Sequence, residues 1–236
     1  MTTDLTPLSH IYPGAYFPDA NLRGLDLSGR DLSGIDLRRS NLEDTNLTGA
    51  SLVAADLRGA NLSGAVFTSA RLKGAQFAGA DLRRAVLAGT TLDHVSFDGA
   101  VLYEADLRGA SLKGASLRDA NLGCAFMAGA DLRGALLCGA TLWLTDIETA
   151  NVTEAIGIRR AGPTGAGGQS LWGVAWPGQT MIKSEMFWGT LPEAISNAHE
   201  QYDPSQIAEF LAALAWVGGV SYIKPTLPHR PERAGG

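Results

Sequence analysis

The chain has 236 residues with a formal net charge of −5; hydrophobic residues make up 45%, charged residues 18%, and there are 29 glycines. A chain this apolar is not a solvated acidic tail, and its slight acidity excludes nonspecific nucleic-acid binding through bulk basicity. No run of about eighteen apolar residues predicts a membrane span, and MTTDLTPLSH lacks the basic and apolar regions of a signal peptide.

Residues 1–14 hold Leu5, Leu8, Ile11 and Tyr12, enough apolar surface for a short N-terminal cap. From Ala15 to Gly157 a single frame governs. Every fifth residue from Phe17 to Val152 is apolar, 28 positions without a slip, mostly Leu with Phe67, Phe77, Phe97, Met127 and Ile147 as variants. Two positions earlier stands a small residue, usually Ala (Ala50, Ala55, Ala60); between the two comes Asp, Asn or Ser, and Gly often closes the unit, as at Gly59 and Gly134. A period of five is neither the 3.6 of a helix nor the 2 of a strand. The large residue and the small one two before it point the same way, as in a strand. The next two residues must turn the chain, which suits Gly. Stacked turns of this kind build a solenoid with Leu ladders along its axis. Burying each Leu stabilises by about 1.5–3 kcal/mol, whereas so many glycines would cost a helix about 1 kcal/mol each. Leu25, Arg30, Ile35, Ser40 and Thr45 replace Ala near the start, and Arg30 at an inward position predicts a loosened coil there.

Composition changes after Gly157. Residues 158–168, with GPTGAGG at 162–168, read as a linker. LWGVAW (171–176) and TMIKSEMFW (180–188) read as two strands about a Pro177-Gly178 turn. Thr190 with Pro192 and Glu193, and Asp203 with Pro204 and Gln206, mark helix starts. They predict helices over 191–202 and 204–217, the second with Ile207, Phe210, Leu211, Leu214 and Val217 on one face. Residues 169–223 are thus expected as a β-hairpin plus two-helix module, and 224–236 as a disordered tail.

ANLSG (60–64), ADLRG (55–59, 105–109, 130–134), ADLRR (80–84) and ANLGC (120–124) resemble the A(D/N)LxX units of pentapeptide-repeat proteins. The resemblance implies a mainly β fold: a right-handed quadrilateral β-helix of about seven coils, four pentads each, carrying a small α+β C-terminal module. At about 4.8 Å per coil the rod would be roughly 34 Å long. The C-terminal block resembles an uncharacterised module that follows such repeats in bacterial and phage proteins, with Phe187, Gly189, Thr190 and Leu191 matching its FxGTL-like step. The best-known activity of the family, mimicry of duplex DNA to bind DNA gyrase or topoisomerase IV and so confer antibiotic resistance, is the function the resemblance implies.

No enzyme is expected, and no cofactor or metal. The recurring Asp residues follow the coil geometry rather than pairing for acid–base work. His10, His94, His199 and His229 share no metal-ligand or triad spacing, and GPTGAGG lacks the Lys-Ser/Thr of a phosphate loop. Cys124 and Cys138 lie on different pentads and read as free thiols, and a reducing, cytoplasmic setting is the expectation. What remains is surface. Counting pentads onto four faces places Asp26, Val66, Val86, Asp106, Phe126, Asp146 and Glu148 on one face, with Arg108 its single base: a candidate partner-binding face. Arg30, Arg71, Lys73, Lys113 and Arg133 occupy a slightly basic one. Between Ala15 and Gly157 there are 17 acidic and 13 basic residues, whereas DNA of the same length carries about 20 phosphate charges. Electrostatic mimicry would be weak. The last coil presents Leu136, Trp143 and Leu144 outward; they are expected to pack under the C-terminal module, with a homodimer as the alternative. The expected partner is a protein, specifically a type II topoisomerase, and neither nucleic acid nor membrane. The alternative is a structural scaffold whose C-terminal module recognises the partner.

Overall fold

A computed structural model describes residues 11–161, 171–176, 179–183, 188–201 and 211–213. Most of the expected N-terminal cap, the GPTGAGG connector, the Pro177-Gly178 turn, most of the second helix and the tail lie outside the described residues. Within the repeat, single parallel bridges join residues twenty apart, from Tyr16–Asp36 through to Leu136–Ile156. Twenty residues make one coil of four pentads, and Tyr16 to Ile156 climbs seven coils.

Each pentad performs the same local steps. In Ala20-Asn21-Leu22-Arg23-Gly24, the third-position amide donates to the coil above (Leu22 N to Asn41 O, 2.7 Å), and Asn41 N donates back to Ala20 O at 2.8 Å. The corner is a β-turn closed by Leu25 N to Leu22 O, 3.2 Å. Its third residue, Gly24, has φ +67°, as a type II turn requires. Positive φ recurs at this fifth position along the rod, and where glycine is missing, residues such as Asp44, His94 and Asp119 accept it, at a cost of about 1 kcal/mol or more. Thr149 is an exception, because a β-branched residue resists that region. Its hydroxyl instead takes the Gly129 amide at 2.9 Å.

First and third positions together fill the axis. Every third-position residue from Leu22 to Ile147 is buried, and Phe77 stacks on Phe97 one coil away with ring centroids 5.1 Å apart. Where Ser40, Thr45, Thr90 and Thr145 replace Ala they are buried too. Each donates its hydroxyl to a main-chain carbonyl (Ser40 to Leu37 at 2.6 Å, Thr145 to Leu122 at 2.7 Å), which satisfies the polar group. Arg30 is exposed rather than buried at its first-position site.

The segment expected as a linker from 158 begins instead as strand β1 (Ile158–Ala161). It pairs with β2 (Leu171–Trp176), which pairs with β3 (Gln179–Lys183), and β3 pairs with β4 (Trp188–Thr190), giving a four-stranded antiparallel sheet in chain order. The expected hairpin is the middle of this sheet. Helix α1 (Leu191–Gln201) follows directly. Thr190 N and Oγ1 donate to Glu193 Oε2 at 2.7 and 2.8 Å, and Glu193 N returns a bond to Thr190 Oγ1, the reciprocal cap its sequence predicts. Alternation along β2 sorts the two faces of the sheet. Trp172 and Val174, with Ile158, join the solenoid core and close its end, while Leu171 and Ile182 pack under Ala194 and Ala198 of α1.

Candidate partner-binding face

Six of the seven residues assigned to one face form a single vertical column. Bridges run Asp26–Asn46–Val66–Val86–Asp106–Phe126–Asp146, one residue per coil at the second position. Phe126 is the proud member, 48% exposed, while Val66 and Val86 are half-buried between their neighbours. Beside the column stand small residues, among them Thr68, Ala88 and Ala128, and the corner beyond is turned by Gly89, Gly109 and Gly129. Phe126 therefore stands above small neighbours.

One carboxylate of this face is paired on the face itself. Arg108 Nε and Nη2 grip Asp106 at 2.8 and 2.6 Å, and its guanidinium lies 6.0 Å from the centroid of the Phe126 ring, within cation–π range. The same clasp recurs wherever Arg follows Asp by two: Arg38 on Asp36, Arg58 on Asp56, Arg83 on Asp81 and Arg133 on Asp131. An A-D-L-R pentad carries its own counter-ion, held bidentately. The clasping arginine holds Asp36, Asp56 and Asp106 below the usual carboxylate range and takes Asp131 down to about 2. The two-residue Asp–Arg spacing that makes the clasp is written in the sequence, but it appears in a pair-by-pair reading and not in the net charge of a face. Among the described residues, Asp26 and Asp146 are the carboxylates of this face without a cation within 4 Å; Asp26 accepts from Asn46 and from the Ser28 amide, each at 3.0 Å. No group of three His, Cys, Asp or Glu among the described residues is placed to hold a metal ion.

Glu148 does not stay on the face. It turns to the end of the rod, where Trp172 Nε1 donates to its Oε1 at 3.0 Å and the buried Lys183 ammonium lies 4.0 Å away. The β2–β3 register sets Trp172 opposite Lys183, so both reach the same carboxylate. Most of the C-terminal module expected to pack onto Leu136, Trp143 and Leu144 lies outside the described residues; the described strands cover the end of the core, and Trp143 and Leu144 are 46% and 52% exposed. Leu136 belongs to another face, half-buried between Ser116 and Ile156, because the chain turns a corner at Gly139 before reaching Trp143.

Comparison with known proteins agrees with this geometry. The family description "Pentapeptide repeats (8 copies)" matches residues 20–59, 45–84, 80–119 and 115–153, more than half of the chain. The full-length structure of QnrB1, a plasmid-mediated fluoroquinolone resistance protein, is similar over 61% of this chain and 84% of its own, at 17% identity and a TM-score of 0.52. HetL, a pentapeptide-repeat protein involved in heterocyst differentiation regulation in the cyanobacterium Nostoc, is 27% identical over 62% of this chain and 86% of its own, with a TM-score of 0.34. No curated protein is matched. The seven stacked coils are a right-handed quadrilateral β-helix, and the chain belongs to the pentapeptide-repeat family.

Proposed function

We propose that the chain is a non-catalytic binding rod whose partner is a type II topoisomerase, DNA gyrase or topoisomerase IV, which it protects or modulates. The observation that carries this reading is the second-position column from Asp26 to Asp146, which presents acid and apolar groups on one side of a rod about 34 Å long. The shared solenoid of a fluoroquinolone resistance protein supports the choice of partner. Charge alone would not carry the binding: DNA of that length offers about 20 phosphates, and the clasped carboxylates here offer much less. On this reading the rod occupies the DNA-binding surface by shape and apolar contact, with charge as a minor contribution.

Supercoiling by purified gyrase, titrated with the rod in the presence and absence of a fluoroquinolone, tests it. Inhibition of supercoiling, or rescue from drug-stabilised cleavage, is the expected result. No effect from folded protein in large excess would overturn it.

A further inference from the structure

We infer that the Asp26–Asp146 face receives an amphipathic helix of its partner, laid along the rod with a cation near each end. This rests on the reading of that face as the partner-binding face.

The backbone excludes the commonest alternative. Along the column the amides of Val66, Val86, Asp106 and Phe126 already donate to the coil below, and their carbonyls accept from the coil beneath, at 2.8 to 3.0 Å. No main-chain group is left for an added strand. A segment desolvated against this face must bring its own backbone hydrogen bonds, which a helix does. Size agrees: the face is one short strand wide, comparable to the 10–12 Å diameter of a helix. Charge agrees as well. Asp26 and Asp146 lie six coils apart, about 29 Å, and both are exposed. Between them the column offers Val66, Val86 and Phe126, with Asn46 hydrogen-bonded to Asp26 and Asp106 closed by Arg108. The complement is an apolar stripe with Lys or Arg about eighteen helical residues, five turns, apart on the same face.

Synthetic helical peptides of one composition and one apolar stripe, with two lysines at the ends or both at the centre, serve as probes in fluorescence anisotropy against the full chain. The end-placed peptide should bind at least tenfold more tightly than the centre-placed one. Phe126→Ala removes the most exposed apolar side chain of the column, one coil from Asp146, and should weaken that binding about tenfold. Asp26→Asn and Asp146→Asn should each weaken it a few-fold, leaving the centre-placed peptide unaffected. Raising NaCl from about 0.15 to 0.5 M should shrink the advantage of the end-placed peptide, because both carboxylates are exposed and their pairs are screened. All three side chains are exposed, and circular dichroism checks that the variants fold. Equal binding of the two peptides, or indifference to Phe126→Ala, overturns the inference. If the rod inhibits gyrase yet binds neither peptide, the helix inference falls while the topoisomerase reading stands; if it binds the end-placed peptide and leaves gyrase untouched, the reverse holds.

Discussion

Inside the rod, each coil is held by contacts that repeat every twenty residues, so each third-position residue has equivalents above and below. The sheet at its end is fastened differently, by one indole, one carboxylate and one buried ammonium, with Ile158 and Val174 beside them. Repetition spreads stability evenly over nearest-neighbour interfaces. A single docking cluster concentrates it. One lost side chain should therefore be felt locally in the rod and throughout the sheet.

Trp172→Ala is the largest expected break in that contrast. The side chain is fully buried and spans both the solenoid core and Glu148. Its removal should cost about 3–5 kcal/mol, taken almost wholly from the docking of the sheet. Hydrogen exchange should show amides of β2 and β3 losing protection, while coils 2 to 6 keep theirs. Uniform loss along the rod would mean that the two regions unfold as one.

A pair of glycines sharpens the comparison at smaller scale. Gly29 has φ +65° with nothing within 4 Å of an added methyl, so Gly29→Ala meets only the conformational cost, about 1 kcal/mol or more. Gly157, between the last coil and β1, has φ +88°, and a methyl there would lie 2.6 Å from Cys138 N and 2.9 Å from its Cα. Gly157→Ala must also displace backbone and should lower the melting temperature clearly more than Gly29→Ala, where about 1 kcal/mol corresponds to 2–4 °C in a chain of this size.

The same division governs what the sequence disclosed. The coil was legible because its signal is local and repeated: Leu at every fifth position, Ala two before it, Gly at the corner. Even the grouping of Asp26, Val66, Val86, Asp106, Phe126 and Asp146 followed from counting, since the frame holds its step of twenty. The helix start at Thr190 was legible for the same reason, as its cap spans three residues. Glu148 was misplaced because its partners, Trp172 and Lys183, are 24 and 35 residues away and belong to no repeat. Strand β1 was missed because IRRA carries neither alternation nor β-rich composition; pairing with LWGVAW makes it a strand. The face of Leu136 relative to Trp143 could have been read from the corner at Gly139.

Acid should produce the smallest effect, again divided between the regions. Asp131 titrates at about 2 in the folded chain, against an ordinary 3.8, chiefly because Arg133 hydrogen-bonds its carboxylate. A carboxyl depressed on folding contributes stability that is full above its unfolded value and lost as pH falls through the folded one. Asp36, Asp56 and Asp106 shift in the same direction for the same cause. Each pair is solvent-exposed and individually weak, but the repeat multiplies it. The melting temperature of the rod should hold from pH 7 to about 4 and decline toward 2. Replacing Arg38, Arg58, Arg108 and Arg133 by Gln should flatten that decline, as should high salt. In the sheet end Glu193, held low by the Thr190 amide and hydroxyl, is the corresponding carboxyl. Its protonation should fray the first turn of α1 and leave the rod untouched. An acid transition as steep in the arginine-to-glutamine variant as in the parent would show that the clasps neutralise the rod without stabilising it.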